Sequence, residues 1–141
     1  MAIIGILASV VLASLNTARS KGSDAAIKAS LTNARAQAEL FYDPTGTYDA
    51  VCTAGTNNIS PMIDGAAKRL SSSNTVGADA VAFSYNASGG AGSAVCHDAA
   101  GGWAAIVSLK GPTTASAGWC VDSTGAAKES TSLAASAIVC P

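Results

Sequence analysis

Apolar residues fill the chain from Ala2 to Leu15 (AIIGILASVVLASL) and then give way abruptly to Asn16, Arg19 and Lys21. Placed on a helix, Ile3, Ile4, Ile6, Leu7, Val10, Val11, Leu12 and Leu15 point all round the axis rather than to one side. Ala2, Gly5, Ala8, Ser9 and Ala13 keep parts of that surface low, which lets helices approach closely. Such a run is about 21 Å long, against a hydrocarbon core of about 30 Å, so by itself it is too short to span. It does not read as a cleavable signal peptide either: the basic residues follow the run instead of preceding it.

Beyond Gly22 the helical period continues but the apolar positions narrow to a stripe. Ile27, Leu31, Ala34, Ala38 and Phe41 follow one another at spacings of four, three, four and three, while Lys28, Asn33, Arg35 and Glu39 fall largely elsewhere. The pattern predicts one helix over residues 1–42, apolar all round over 2–15 and amphipathic over 23–42, ended by Asp43-Pro44. That rod is about 60 Å long, too long to be buried along its full length by the rest of a chain of 141 residues. Gly22 lies between the two halves and weakens the helix by about 1 kcal/mol, a place where it can stretch or melt.

Residues 43–78 read as a loop region with a short helix, in which Ser60 serves as cap and Pro61 as first-turn proline for a helix through about Leu70. In residues 79–141 three strands stand out: DAVAFSYN, with Val81, Phe83 and Tyr85 alternating; GGWAAIVSLK; and AGWCVDSTG, which ends in a turn. The Gly-rich ASGGAGSAV reads as a hairpin loop, without the strand and helix that would make it a phosphate cradle. The expected fold is α+β: a long N-terminal helix packed on a small antiparallel sheet, whose apolar face covers Ile27, Leu31 and Phe41.

Composition narrows the function. A formal charge of -1 with 12% charged residues gives no basic surface for nucleic acid. Cys52, Cys96, Cys120 and Cys140 are even in number, widely spaced and lack a CxxC pair, so two disulfides in an oxidising compartment fit better than zinc. Three pairings are possible; Cys52 with Cys96 and Cys120 with Cys140 is favoured, because the second bond would anchor the C-terminal tail. Neither a cofactor nor a metal is expected. His97 stands between Cys96 and Asp98, yet a nucleophilic cysteine needs a free thiolate, which a disulfide removes, so no enzyme is expected. Asp122 in VDSTG is a single carboxylate where calcium gathers several oxygen ligands, and it reads as a turn residue. Asn58-Ile59-Ser60 and Asn86-Ala87-Ser88 match the glycosylation triplet, a pattern common by chance in Ser-rich chains. Tyr42, Tyr48, Tyr85, Trp103 and Trp119 are spaced as core or loop-packing aromatics.

The stretch AIIGILASVVLASLNTARSKG resembles the upper part of the N-terminal helix of type IV pilins and type II secretion pseudopilins. ELFYDPTGTYDAVC is similar to the helix exit of pilin-like proteins, and WCVDSTG with the terminal Cys-Pro to cysteine-closed pilin tails. The resemblance implies a subunit that polymerises through Ala2, Ile3, Ile4, Gly5, Ile6, Leu7, Ala8, Val10, Val11, Leu12 and Leu15. It also implies a cell-surface filament, an inner-membrane pool before assembly, and the pilus or secretion machinery as partners. The family's basic leader, Gly-Phe processing site and first-turn glutamate do not stand ahead of Met1, so the true mature start is expected upstream. Besides a pilus subunit, the alternatives are a pseudopilin and a membrane-anchored binding module acting singly.

Overall fold

The computed structural model describes residues 2–141; Met1, expected at the head of the helix, lies outside the described residues, as does the side chain of Ala2. The first element, α1 (Ala2–Thr45), is 44 residues long, about 66 Å at about 1.5 Å per residue. After it come α2 (Ser60–Ala67) and four strands, β1 (Ala94–Ala99), β2 (Gly102–Ser108), β3 (Gly118–Asp122) and β4 (Ala127–Ser130). The strands pair in sequence order, all antiparallel, as one meander. This is the α+β arrangement of a long helix on a small sheet that the hydrophobic pattern predicts.

The amphipathic half of α1 supplies the core. Ile27, Leu31, Ala34 and Ala38 are fully buried and pack with Ile59, Ile63 and Ala66 around α2 and with Ala94, Cys96, Trp103, Ala105, Val107 and Val121 of the sheet. Strand positions one step out of phase, Val95, Ala104, Ile106 and Cys120, pack instead with Phe83, Leu133 and Cys140. Since successive strand residues point to opposite faces, the sheet is covered on both: the helices lie on one face, and a strap around Phe83 together with the C-terminal tail lies on the other. Disulfides join Cys52 to Cys96 and Cys120 to Cys140. The first ties the loop after α1 to the helix face, the second ties the tail to the far face.

Several local expectations need correction. The helix does not stop at Tyr42 but runs through Pro44 to Thr45. Pro44 has no N–H to give to the carbonyl of Leu40, and Leu40 lies in solvent, where water can serve that carbonyl. Gly46, at φ +67, then closes the helix by donating its N–H to the Tyr42 carbonyl at 2.7 Å. Ser60 is not the cap of α2; the buried Ile59 takes that position, its carbonyl accepting from Met62 and Ile63. The helix ends at Ala67, where the N–H groups of Arg69 and Leu70 bond three residues back and tighten the chain. DAVAFSYN is no strand: its N–H groups bond singly, Phe83 to the Leu133 carbonyl and Ser84 to that of Gly92, and Gly77 makes one isolated bridge to Val95. The first strand is AVCHDA, so Ala94 and Val95 leave the Gly-rich loop assigned to them.

Buried carboxylates fix the loops. Asp24 on α1 accepts from the backbone N–H of Lys110 at 2.7 Å and of Gly111 at 2.9 Å, holding the β2–β3 loop against the helix. Glu129 holds the same loop from β4, accepting from Thr113 and Thr114 at 3.1 and 2.6 Å, and Lys28 lies 3.8 Å from it and over the Trp119 ring. Asp122 is 1% exposed; one oxygen accepts from Thr124 and Ala126 in the β3–β4 turn, the other from the Cys140 N–H at 2.8 Å. Burial by itself would raise the Asp122 pKa, but these donors outweigh it and hold the carboxyl below its usual range. Glu129 shows the same balance, with burial opposed by Thr114, Thr113 and Lys28, and is also held low.

Lowered folded pKa values mean that these charged carboxylates stabilise the fold above the ordinary carboxyl range, about pH 4, and that this stabilisation is lost as pH falls through the folded values. Relative to the wild type, Asp122→Asn is expected to lose about 1–3 kcal/mol at pH 7 and to lose less further stability between pH 5 and pH 2. Denaturant unfolding of the full chain in mild detergent measures both; a variant that kept the wild-type pH profile would contradict the assigned role.

Candidate functional site

Along α1 the same kinds of side chain meet two environments. Ile27 and Leu31 are 0% exposed, whereas Ile3 and Ile4 are 73% exposed, and Ile6, Leu7, Val10, Val11, Leu12 and Leu15 are also in solvent. Gly5 has open space where a Cβ would stand, and Ala8 is exposed as well. Every residue from Ile3 to Ala18 is exposed, so the N-terminal part of the rod stands clear of the described domain. The structure therefore brings the sequence-assigned packing residues from Ile3 to Leu15 together as one continuous apolar surface and leaves them uncovered.

The chemistry of this surface is uniform. No residue that carries a charge at neutral pH occurs between Ala2 and Ala18. The hydroxyl of Ser9 donates to the Ile6 carbonyl at 2.8 Å and that of Thr17 to the Ala13 carbonyl at 3.1 Å, so both are satisfied within the helix and need no water. Burial of a large aliphatic side chain is worth roughly 1.5–3 kcal/mol, and eight exposed ones leave a driving force on the order of 10–20 kcal/mol for covering the surface. Apolar patches of this kind mark interaction sites with proteins or lipid. The helix contains an 18-residue window of mean hydropathy 1.5, none of it buried. About 27 Å long, that window reaches past the Ala2–Leu15 run into the polar residues that follow it, Arg19 among them. By length and composition, α1 is thus able to anchor in a membrane.

The polar candidates are drawn into structural duties. All four cysteines are paired. His97 is fully buried on the far face of the sheet, its Nε2 at 2.8 Å from the Val81 carbonyl and its Nδ1 at 3.1 Å from that of Ala137, so it ties the strap and the tail together. Asp98, on the opposite face, accepts from the N–H groups of Ala50 and Cys52 at 3.2 and 2.6 Å. Burial raises the Asp98 pKa, the two donors oppose the rise, and Asp79 and Asp49 add to it. Among the described residues no group of three His, Cys, Asp or Glu side chains is arranged to hold a metal. An open hollow of about 320 Å³ beside α1 is lined by Thr32, Arg35, Ala36, Glu39, Asp122 and Ser123. Its Asp122 carboxylate is already occupied by the turn and the tail.

Sequence reasoning missed Asp24, Glu129 and Asp98, whose partners are backbone N–H groups as many as 87 residues away and carry no side-chain signature. Compared with protein-family models, with curated proteins and with solved structures, the chain finds no match.

One pair of substitutions separates the two halves of α1. Leu31→Ala is expected to destabilise the folded half by about 2–5 kcal/mol. Leu7→Ala, on the same helix, is expected to change it by less than about 0.5 kcal/mol. Unfolding followed by tryptophan fluorescence reads the folded half, because Trp103 and Trp119 both lie there; a comparable loss for Leu7→Ala would show that the N-terminal half packs on the domain.

Proposed function

We propose that this chain is a structural subunit of a type IV pilus-like extracellular filament that polymerises through its apolar N-terminal helix. The observation that supports this reading is the bare apolar half of α1, continuous in one helix with a half that is buried in a disulfide-bonded domain. A helix apolar on every side must be covered on every side. Lipid does this for a single copy, and several neighbouring helices do it for a copy in a bundle. A repeated, non-closing contact between copies generates a helical polymer, with the apolar halves as its core and the folded halves outside. Gly5 and Ala8 provide places where neighbouring helices come close.

In this reading the chain rests in the inner membrane through α1 until the assembly machinery passes it into the filament. Gly22, within α1 and exposed, is where the helix stretches when the two halves take up their filament positions. The folded domain faces solvent as the outer wall and carries whatever adhesion, motility or uptake function the filament has.

The test is direct. Sheared filaments from the source cells are expected to contain this chain as an abundant component, and Gly5→Arg or Ala8→Arg is expected to abolish assembly while leaving the folded domain intact by fluorescence and disulfide content. Normal filaments from either variant would refute the packing scheme. Recovery of the wild-type chain in membranes but never in the sheared fraction would instead assign it to a short secretion pseudopilus or to a lone anchored module.

A further inference from the structure

The two Asn-x-Ser triplets differ in what the fold does with them. Asn58 is half-buried, and its Nδ2 donates to the carbonyls of Ala50 at 2.8 Å and Thr53 at 3.1 Å. Ile59 behind it is fully buried, and Ser60 opens α2. A group attached to that nitrogen would replace one of its two hydrogens and so remove at least one of these bonds. Asn86 stands in the exposed turn between the Phe83 strap and β1. Its backbone N–H donates to the Ser108 hydroxyl at 3.1 Å, and its Oδ1 accepts from the Ser88 N–H at 2.9 Å. Those contacts fix the residue and use its amide oxygen, while Nδ2 makes no hydrogen bond to any described residue. Gly90, at φ +145, keeps space beside it: a Cβ there would come within 3.1 Å of Nδ2. Ser88, the third residue of the triplet, is also exposed. The same turn borders a polar hollow of about 200 Å³ whose lining includes Ser71, Ser73, Thr75, Gly89 and Gly90, a surface of hydroxyl and backbone groups suited to a sugar.

We propose that Asn86 is the acceptor of an N-linked glycan and that Asn58 is not. The donor is a saccharide carried on a lipid diphosphate, brought by a transferase in the compartment where the disulfides form. The Asn86 Nδ2 bonds to the anomeric carbon as the bond from that carbon to the diphosphate oxygen breaks. The diphosphate leaves with the electron pair, and one Nδ2 proton passes to a base of the transferase; nothing is oxidised or reduced. Asn-x-Ser is the triplet such transfer requires, and it places the glycan on an exposed turn. The assignment stands apart from the filament reading, since an anchored single copy would present the same turn.

Reduced tryptic peptides of the chain purified from its source cells separate the two triplets, because residues 36–68 contain Asn58 and residues 70–110 contain Asn86. Saccharide mass is expected on the 70–110 peptide, with fragmentation that localises it to Asn86, and none on 36–68. It is expected to vanish in Asn86→Gln and Ser88→Ala and to persist in Ser88→Thr. An unmodified 70–110 peptide from native material, a saccharide on Asn58, or one that survives Asn86→Gln would each overturn the assignment.

Discussion

The folded half of this protein is organised by a short stripe on one helix, Ile27, Leu31, Ala34 and Ala38, against which α2 and one face of the sheet close. Two of the four are alanines, so the sheet approaches the helix closely and the contact tolerates little change in volume. Where the stripe ends, toward Gly22, nothing packs on α1 any longer. The boundary between the covered and the bare halves of the rod thus falls where the helix itself changes from all-round apolarity to a one-sided stripe.

Around that contact the chain makes up for a shortage of large apolar residues with fixed polar links. The two disulfides lie on opposite faces of the sheet, each joining it to a different covering layer, and close loops of 44 and 20 residues. Such closures stabilise by roughly 3–4 kcal/mol each in the loop-entropy view. Asp24, Asp122 and Glu129 do the equivalent for segments that have no regular structure, by gathering backbone N–H groups that would otherwise lack partners. His97 links strap to tail through backbone carbonyls instead, those of Val81 and Ala137. A sheet of four short strands is thus held between a helical layer and an irregular one.

Much of this was legible in the sequence where one periodicity dominates. The long helix, its change from all-round to one-sided apolarity and the bare surface of the candidate site follow from spacing, and strands β2 and β3 from apolar and aromatic runs bounded by glycines. What was not legible has a common cause. Because both faces of the sheet are covered, β1 lacks the alternation of a half-buried strand: its first four residues, Ala94 to His97, are all buried. The strap shows alternation at Val81, Phe83 and Tyr85, yet only Phe83 is buried, and no neighbouring strand takes up its N–H groups as a ladder. At β4 the sequence AKES leaves Ala127 and Lys128 in solvent, so no apolar signal marks it. The carboxylate links join residues far apart in sequence through backbone atoms, which have no identity to read.

The two disulfides also shape how the molecule would bear a load. A pull applied along α1 and resisted by the folded domain has little slack to draw on, since the chain between Cys52 and Cys96 and between Cys120 and Cys140 cannot lengthen while the bonds hold. Extension is confined to the segments outside the two loops, chiefly the rod and its junction at Gly22. Such a chain would yield first in its helix and keep its folded domain intact, behaving as a spring with a hard stop.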